Sequence, residues 1–225
     1  MLIAFEGIDA SGKNTQSSML FRHFSNLNIY DVHKFDFPRY ESPTGEVIAD
    51  YLQGGWKVQE TSRSDSPIPF LEEKVFQCCH LANKMECLPD GAWAKDQRKA
   101  FIADRYNASS IAYGKALGLD ESWLIKLQRN LPKADLNIFL DITVEESFKR
   151  RPDRRDEYEK NATFLNQVRD SYIEIFKGKG DDYIIIDCMQ KSVEDIFLEV
   201  CAHVDKIVLA NTKRAKKSSW SDKVI

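Results

Sequence analysis

Three groups of residues in this chain have the types and spacing to handle phosphate. The first is Gly7-Ile8-Asp9-Ala10-Ser11-Gly12-Lys13, a G-x-x-x-x-G-K pattern between the apolar run Leu2-Ile3-Ala4-Phe5 and a stretch with Leu20, Phe24 and Leu27 at helical spacing. A strand, a glycine loop and a helix in that order gather backbone N–H groups into one concavity at a helix N-terminus, which binds phosphate. Lys13 supplies a point charge for the β- and γ-phosphates of a triphosphate. The position after this lysine normally offers a hydroxyl to Mg²⁺; here it is Asn14, whose carboxamide oxygen is a weaker and bulkier ligand. Thr15 follows, but one helical residue turns its side chain about 100° away.

The second group is Asp104-Arg105, directly after Lys99-Ala100-Phe101-Ile102-Ala103. A carboxylate there suits a water-mediated hold on Mg²⁺ beside a triphosphate, and it equally suits the N-cap of a following helix. Arg105 has the planar fork to grip a second phosphate. The third group is Arg150, Arg151, Arg154 and Arg155 around Pro152, readable as an anion clamp or as a solvated helix end. Positioning, a divalent cation and positive charge over the transferring oxygens are most of what phosphoryl transfer requires.

To bring these groups together, the chain must deliver them to one edge of a sheet. Short strands are predicted at the apolar start, at Ile29–Phe37, Lys99–Ala103, Leu136–Leu140 and Tyr183–Asp187. Helices are predicted around Val47 to Leu52, ended by Gly54 and Gly55, over Phe70 to Leu88, through Ile111 and Tyr113, and around Trp123 to Leu127. Others start from a Thr143/Glu146 capping-box spacing, run past Phe164, Val168, Tyr172 and Phe176, and cover Val193 to Val204. Residues 56–69 read as a long polar loop. Five strands alternating with helices predict an α/β fold, a parallel sheet covered on both faces. Ligands of such sheets bind beyond the carboxyl ends of the strands, where the glycine loop and Asp104-Arg105 both fall.

The 225 residues suffice for one sizeable core, with no feature demanding a second domain. A net charge of −3 and a pI near 5.9 argue against an extensive nucleic-acid surface. The longest apolar runs are far too short to span a bilayer, and Glu6 interrupts the apolar start with no basic segment before it. A cytoplasmic location without a signal peptide is therefore expected. Five cysteines with no C-x-x-C pair suit free thiols. The cluster Cys78, Cys79, His80 and Cys87 reads as buried small hydrophobes or, less economically, as metal ligands. Residues 211–225 mix Lys213, Arg214, Lys216 and Lys217 with serines and are expected to fray as a basic tail.

Several motifs recur in a familiar order. Phe5-Glu6-Gly7-Ile8-Asp9, Phe37-Pro38 with Gly45, Asn83-Lys84-Met85-Glu86 before Leu88-Pro89, Asp104-Arg105-Tyr106, and Leu131-Pro132-Lys133-Ala134-Asp135-Leu136 resemble those of thymidylate kinases, from Leu2 to about Cys201. The resemblance implies a P-loop nucleoside monophosphate kinase fold: a five-stranded parallel sheet with helices on both faces, one domain over residues 1–210, and an arginine-rich lid at about 150–159. It also implies ATP as phosphoryl donor with Mg²⁺, dTMP as acceptor, and a homodimer.

Carried over by position, the resemblance gives ATP the loop from Gly7 through Ile8, Asp9, Ala10, Ser11, Gly12 and Lys13 to Asn14 and Thr15, with Asn14 and Asp104 on the metal. Asp9 lies near the acceptor sugar and phosphate, Arg105 grips that phosphate, Ser109 approaches the acceptor, and Tyr113 packs beside the deoxyribose and helps exclude a 2′-OH. Phe37 and Arg39 border the acceptor from the Phe-Pro segment, where Tyr40 stands at a position some members give to arginine. Arg151, Arg154 and Arg155 form the lid, with Asp156, Tyr158 and Glu159 resembling its acidic-aromatic end. Because Ala10 replaces an arginine that some members carry in the loop, the lid arginines are the ones to stabilise the transferring group.

Two departures bear on the acceptor. Lys84 stands where many members use an arginine on the base, and His80 where they stack a phenylalanine. The sequence thus leaves open a dTMP kinase, a kinase with a broader deoxynucleotide preference that includes dUMP and dCMP, and a paralogue that binds nucleotide without catalysis. A guanine-reading Asn-Lys-x-Asp is absent, because Asn83-Lys84-Met85-Glu86 lies within a predicted helix; a partner-switching module is disfavoured.

Overall fold

The alternation of apolar strands and amphipathic helices folds into an all-parallel sheet, since parallel neighbours require a crossover between them. The structure, a computed structural model, describes residues 1–28, 30–55, 71–87, 98–153 and 157–221. Strands β1 (Leu2–Glu6), β2 (Asp31–Asp36), β3 (Lys99–Asp104), β4 (Leu136–Asp141) and β5 (Tyr183–Asp187) lie in the order β2-β3-β1-β4-β5. The register pairs Phe5 with Asp104 and Ile138, and Asp36 with Asp104. Every residue of the central β1 is buried, as expected of a continuous apolar run covered on both faces, whereas edge strands β2 and β5 are only partly buried.

Nine helices are drawn among the described residues: α1 (Lys13–Leu27), α2 (Pro43–Leu52), α3 (Leu71–Cys87), α4 (Asn107–Ala116), α5 (Glu121–Leu127), α6 (Val144–Arg150), α7 (Glu157–Lys160), α8 (Ala162–Phe176) and α9 (Val193–Ser221). Ile3 and Phe5 of β1 pack with Leu20 and Phe24 of α1, Leu165, Val168 and Tyr172 of α8, and Val200 of α9. Leu2 and Ala4, which point the other way, pack with Phe37, Cys87, Phe101 and Tyr106. Each fully buried Ile, Leu or Phe contributes about 1.5–3 kcal/mol, so these two clusters fix the sheet between its helical layers.

Short polar side chains start the helices. Ser42, Asp120, Thr143 and Asn161 accept from the backbone N–H groups of Gly45, Trp123, Glu146 and Phe164. The capping box at Thr143 closes on one side only, because Glu146 pairs with Arg150 at 2.9 Å instead of reaching back. The last helix continues to Ser221 through residues 211–221, which the sequence reading assigned to a frayed tail; lysine, arginine and alanine there are strong helix formers and need no apolar stripe to propagate a helix already begun. The polar loop at 56–69, Leu88-Pro89, and Arg154, Arg155 and Asp156 lie outside the described residues.

The segment between β2 and α2 crosses the mouth of the sheet under tight restraint. Gly45 lies so close to it that a Cβ would fall 1.8 Å from the Arg39 carbonyl oxygen. Gly45→Ala is expected to lower stability by about 1–3 kcal/mol, measured by urea unfolding, because backbone rather than a yielding side chain must move; an unchanged midpoint would show that the segment is not held there.

Candidate active site

At the carboxyl end of β1 the chain turns through Gly7, whose φ of 148° and close neighbours, Ser11 Oγ and the Leu140 carbonyl, leave no room for a Cβ. Ala10 adopts a left-handed conformation, and Ser147 Oγ donates to its neighbour's carbonyl, Asp9 O, at 2.5 Å. Gly12 forms the N-cap of α1, and Lys13 folds back over the loop so that Nζ donates to Ile8 O at 2.8 Å. Burial, and then the Arg105 charge, depress the Lys13 ammonium to about 8, although Asp104, Asp9 and Glu6 favour its charged form. Asn14 and Thr15 are exposed in the first turn of α1 and border the same cleft.

One strand across, Arg105 takes a positive φ of 64°, uncommon for a residue with a Cβ. What holds it there is Glu6, the last residue of β1 and fully buried. Glu6 Oε1 accepts from the backbone N–H of Tyr106 at 3.0 Å and of Ala108 at 3.2 Å, and Oε2 accepts from Ser109 Oγ. The carboxylate thus occupies the N-terminus of α4, where helix dipole and unpaired N–H groups favour negative charge. Burial pushes its carboxyl up, opposed by the Ser109 bond and by Lys84 and Arg105. Asp104, which could have capped α4 on sequence grounds, makes no such bond; it faces the cleft, its carboxyl raised by burial against the pull of Lys13 and Arg105.

Held in this way, Arg105 donates from Nη1 to Gly7 O at 2.9 Å and from Nη2 to Asp9 Oδ1 at 2.5 Å. Its guanidinium lies over the Tyr113 ring, 5.3 Å from the centroid, and the Tyr113 hydroxyl donates to Asp9 Oδ2 at 3.2 Å. Burial works against the Asp9 carboxylate, but Arg105 and Lys13 outweigh it and hold that group at about 2.

Helix α3 closes the other side. Asn83 is fully buried and acts as a clamp on the β2–α2 segment: Oδ1 accepts from Arg39 N at 2.8 Å, and Nδ2 donates to Arg39 O, Ser42 Oγ and Thr44 Oγ1. Lys84 Nζ donates to Ser110 Oγ at 2.6 Å and to Gln128 Oε1 at 3.0 Å, and it lies over the Tyr106 ring. Burial lowers its pKa, with Glu6 countering. His80 meets Phe76 edge to face at 4.5 Å and is held down at about 3, neutral, by its surroundings and by Lys84 and Arg105. Tyr158, from the expected lid, packs on Phe164 and Phe76.

Two hollows result, and they share a wall. One is lined by Ala10, Gly12, Lys13, Asn14, Thr15, Asp104, Arg150 and Arg151. The other is lined by Phe76, Gln77, His80, Lys84, Ser109, Ser110, Tyr113 and Tyr158. Asp9, Arg105, Phe37, Pro38 and Tyr40 border both. Most of the sequence-predicted residues among those described line these hollows, Arg39 at the cleft rim included, while Gly7, Ile8 and Ser11 are buried in the loop; Ser109 lines the chamber while its hydroxyl is turned to Glu6 and to Tyr172 at 2.7 Å. Arg150 of the basic cluster is tied to Glu146 and to Cys188 O. Arg154 and Arg155 lie outside the described residues, as does the Glu159 side chain. Sequence reasoning missed Glu6, Asn83, Ser147 and Tyr172 as site-builders. An ionisable residue closing a fully apolar strand was the available signal for Glu6.

The depressed pKa of Lys13 has a definite sign. Only its charged form attracts phosphate, and in the free protein that form is lost as pH rises through about 8. Nucleoside triphosphate affinity, measured by calorimetry between pH 7 and 9.5, is expected to be level below pH 8 and to fall by up to about tenfold per unit above it; a flat profile would contradict a desolvated Lys13 at the phosphate site.

Comparison with known proteins matches this geometry to one family. The thymidylate kinase family model matches residues 5–200. The thymidylate kinase of Dictyostelium discoideum is 27% identical over 205 residues, covering 91% of this chain and 85% of its own length. A probable thymidylate kinase of Thermococcus onnurineus is 33% identical over 211 residues, 93% of this chain and 99% of its own. The solved thymidylate kinase of Candida albicans, described as revealing the origin of its broad substrate specificity, aligns with a TM-score of 0.74 at 25% identity over 91% of each chain. A match that spans the glycine loop, the α3 chamber and Asp104-Arg105 alike leaves one conclusion: the chain belongs to the thymidylate kinase family of ATP-dependent phosphotransferases.

Proposed function

We propose that this chain transfers the γ-phosphoryl group of ATP to dTMP, giving dTDP and ADP in the supply of dTTP. The observation that carries the reading is the shared border of the two hollows at Asp9 and Arg105, with the glycine loop on one side and an aromatic chamber on the other. Donor phosphates over the loop and an acceptor base in the chamber would bring the acceptor's phosphate oxygen to the γ-phosphorus. There the bond to the ADP oxygen breaks as the new P–O bond forms.

Each residue then has a task. Lys13 leaves Ile8 O for the β/γ-phosphates, which restore the charge that burial disfavours. Arg105 holds the acceptor phosphate, an anion that competes with Asp9 for the same guanidinium. Arg151, together with Arg154 and Arg155 of the lid at 150–159, neutralises the transferring oxygens. The Tyr113 ring would flank the sugar and help exclude a 2′-OH, with Phe37 and Arg39 at the rim. Asn14 and Asp104 offer the hard oxygen donors that suit Mg²⁺, and a cation would relieve the buried Asp104 carboxylate; when bound it neutralises phosphate charge.

The same reading makes residues 1–210 the kinase domain of a cytoplasmic homodimer that works on free nucleotides and engages neither nucleic acid nor membrane. No helix among the described residues is long and apolar enough to cross a membrane. A wider acceptor range, including dUMP and dCMP, is the second reading. It is favoured by Lys84, whose ammonium is committed to Ser110 and Gln128 and lacks the bidentate fork of arginine.

Two outcomes are expected from an ADP-release assay with ATP and Mg²⁺ against dTMP, dUMP, dCMP, dGMP and AMP. Release depends on a deoxypyrimidine monophosphate, dTMP first, and Lys13→Ala or Arg105→Ala lowers kcat/KM by about 10²-fold or more while Asn14→Thr preserves or raises it. Release without an acceptor, or only with AMP or dGMP, would remove the thymidylate reading, and unchanged rates in the alanine variants would remove the site assignment.

A further inference from the structure

Helix α3 turns one stripe of side chains toward the acceptor chamber: Gln77, His80 and Lys84, three and four residues apart, with Phe76 beside them. Three of these four have evident engagements. Phe76 and His80 pack ring against ring, and Lys84 donates to Ser110 and Gln128. Gln77 has none: it is 2% exposed, and its Oε1 is buried without a hydrogen-bond partner among the described residues. An orphaned amide oxygen in a folded interior costs about 1–3 kcal/mol and calls for a reason. A chamber wall is where a ligand supplies one.

The chemistry of that ligand follows from the missing partner. An orphan acceptor needs a donor, and none from the described wall reaches it: the Lys84 bonds go to Ser110 and Gln128, and the His80 ring packs on Phe76. Of the ring atoms of a pyrimidine, the imide N3–H of thymine or uracil is a donor, flanked by carbonyl acceptors. The N3 of cytosine is itself an acceptor and would set lone pair against lone pair. Resting on the proposed kinase function, we propose that Gln77 is a specificity-determining residue whose Oε1 accepts from N3–H of the acceptor base, favouring thymine and uracil over cytosine. This assigns to α3 a polar reader of the base edge about two turns before Lys84, the residue that stands in place of the usual arginine.

The test pairs one variant with one ligand. Binding of dTMP and of its N3-methyl derivative, which cannot donate, is measured by calorimetry for the wild type and for Gln77→Leu, with ATP affinity and the thermal midpoint of the unliganded protein as controls. The wild type is expected to bind N3-methyl-dTMP about tenfold or more weakly than dTMP. Gln77→Leu is expected to bind both with the same weakened affinity, with ATP affinity unchanged and the midpoint not lowered, because an unsatisfied group has been removed. Equal wild-type affinity for the two ligands, or dTMP affinity in Gln77→Leu within about twofold of wild type, overturns the inference while leaving the kinase reading intact. A wild type that neither binds nor phosphorylates dTMP overturns both, and the wild-type ligand comparison stands even if the variant does not fold.

Discussion

A single buried carboxylate sets the geometry of this site. Glu6 closes the central strand, lies inside the protein, and satisfies two backbone N–H groups and one hydroxyl at the start of α4. Because those N–H groups belong to Tyr106 and Ala108, the residue just before them, Arg105, is pinned in a conformation that non-glycine residues avoid. Its backbone N–H is fixed as well, donating to Phe5 O at 2.8 Å. The guanidinium therefore reaches Gly7 O and Asp9 without a search, which is the preorganisation that electrostatic catalysis depends on.

From that anchor the charges fall into a graded arrangement. Asp9 is shared by Arg105 and Tyr113 and stays ionised, Lys13 is desolvated and only loosely charged, and Asp104 is buried with too few partners for comfort. Phosphate and a divalent cation complement these groups electrostatically, each supplying the charge that burial disfavours. Helix α3 contributes the complementary wall. Asn83 draws the β2–α2 segment against it, so that Phe37 and Pro38 border both hollows.

Much of this was legible in the sequence and some was not, for physical reasons. The strands announce themselves because β1, β3 and β4 are buried on both faces and read as apolar runs; the edge strand Asp31–Asp36 is recoverable only from the scattered apolar residues Tyr30, Val32, Phe35 and Phe37 ahead of Pro38. The glycine loop, Asp104-Arg105 and the Thr143 cap are local patterns, so spacing alone located them. Glu6 and Asn83 act on residues about 100 and 44 positions away, respectively, and no local pattern encodes such partners. The Asn83-Lys84-Met85-Glu86 block was recognisable as a motif, yet its physical content emerged only when Asn83 and Glu86 were seen to bond the segment from Arg39 to Thr44. The helical extension to Ser221 was missed because composition without an apolar stripe says little about a helix propagating from a packed one.

The central claim is that two nucleotides occupy one continuous cleft and meet over Arg105 and Lys13. The most direct test is the calorimetric affinity of a compound in which adenosine and thymidine are joined by a polyphosphate chain, set against ATP and dTMP separately. Filling both hollows without a second association step predicts binding tighter than either nucleotide by about 10²-fold or more. Affinity no greater than that of ATP alone, or equal affinity when a second adenosine replaces the thymidine, would contradict a shared cleft with a pyrimidine chamber at its far end.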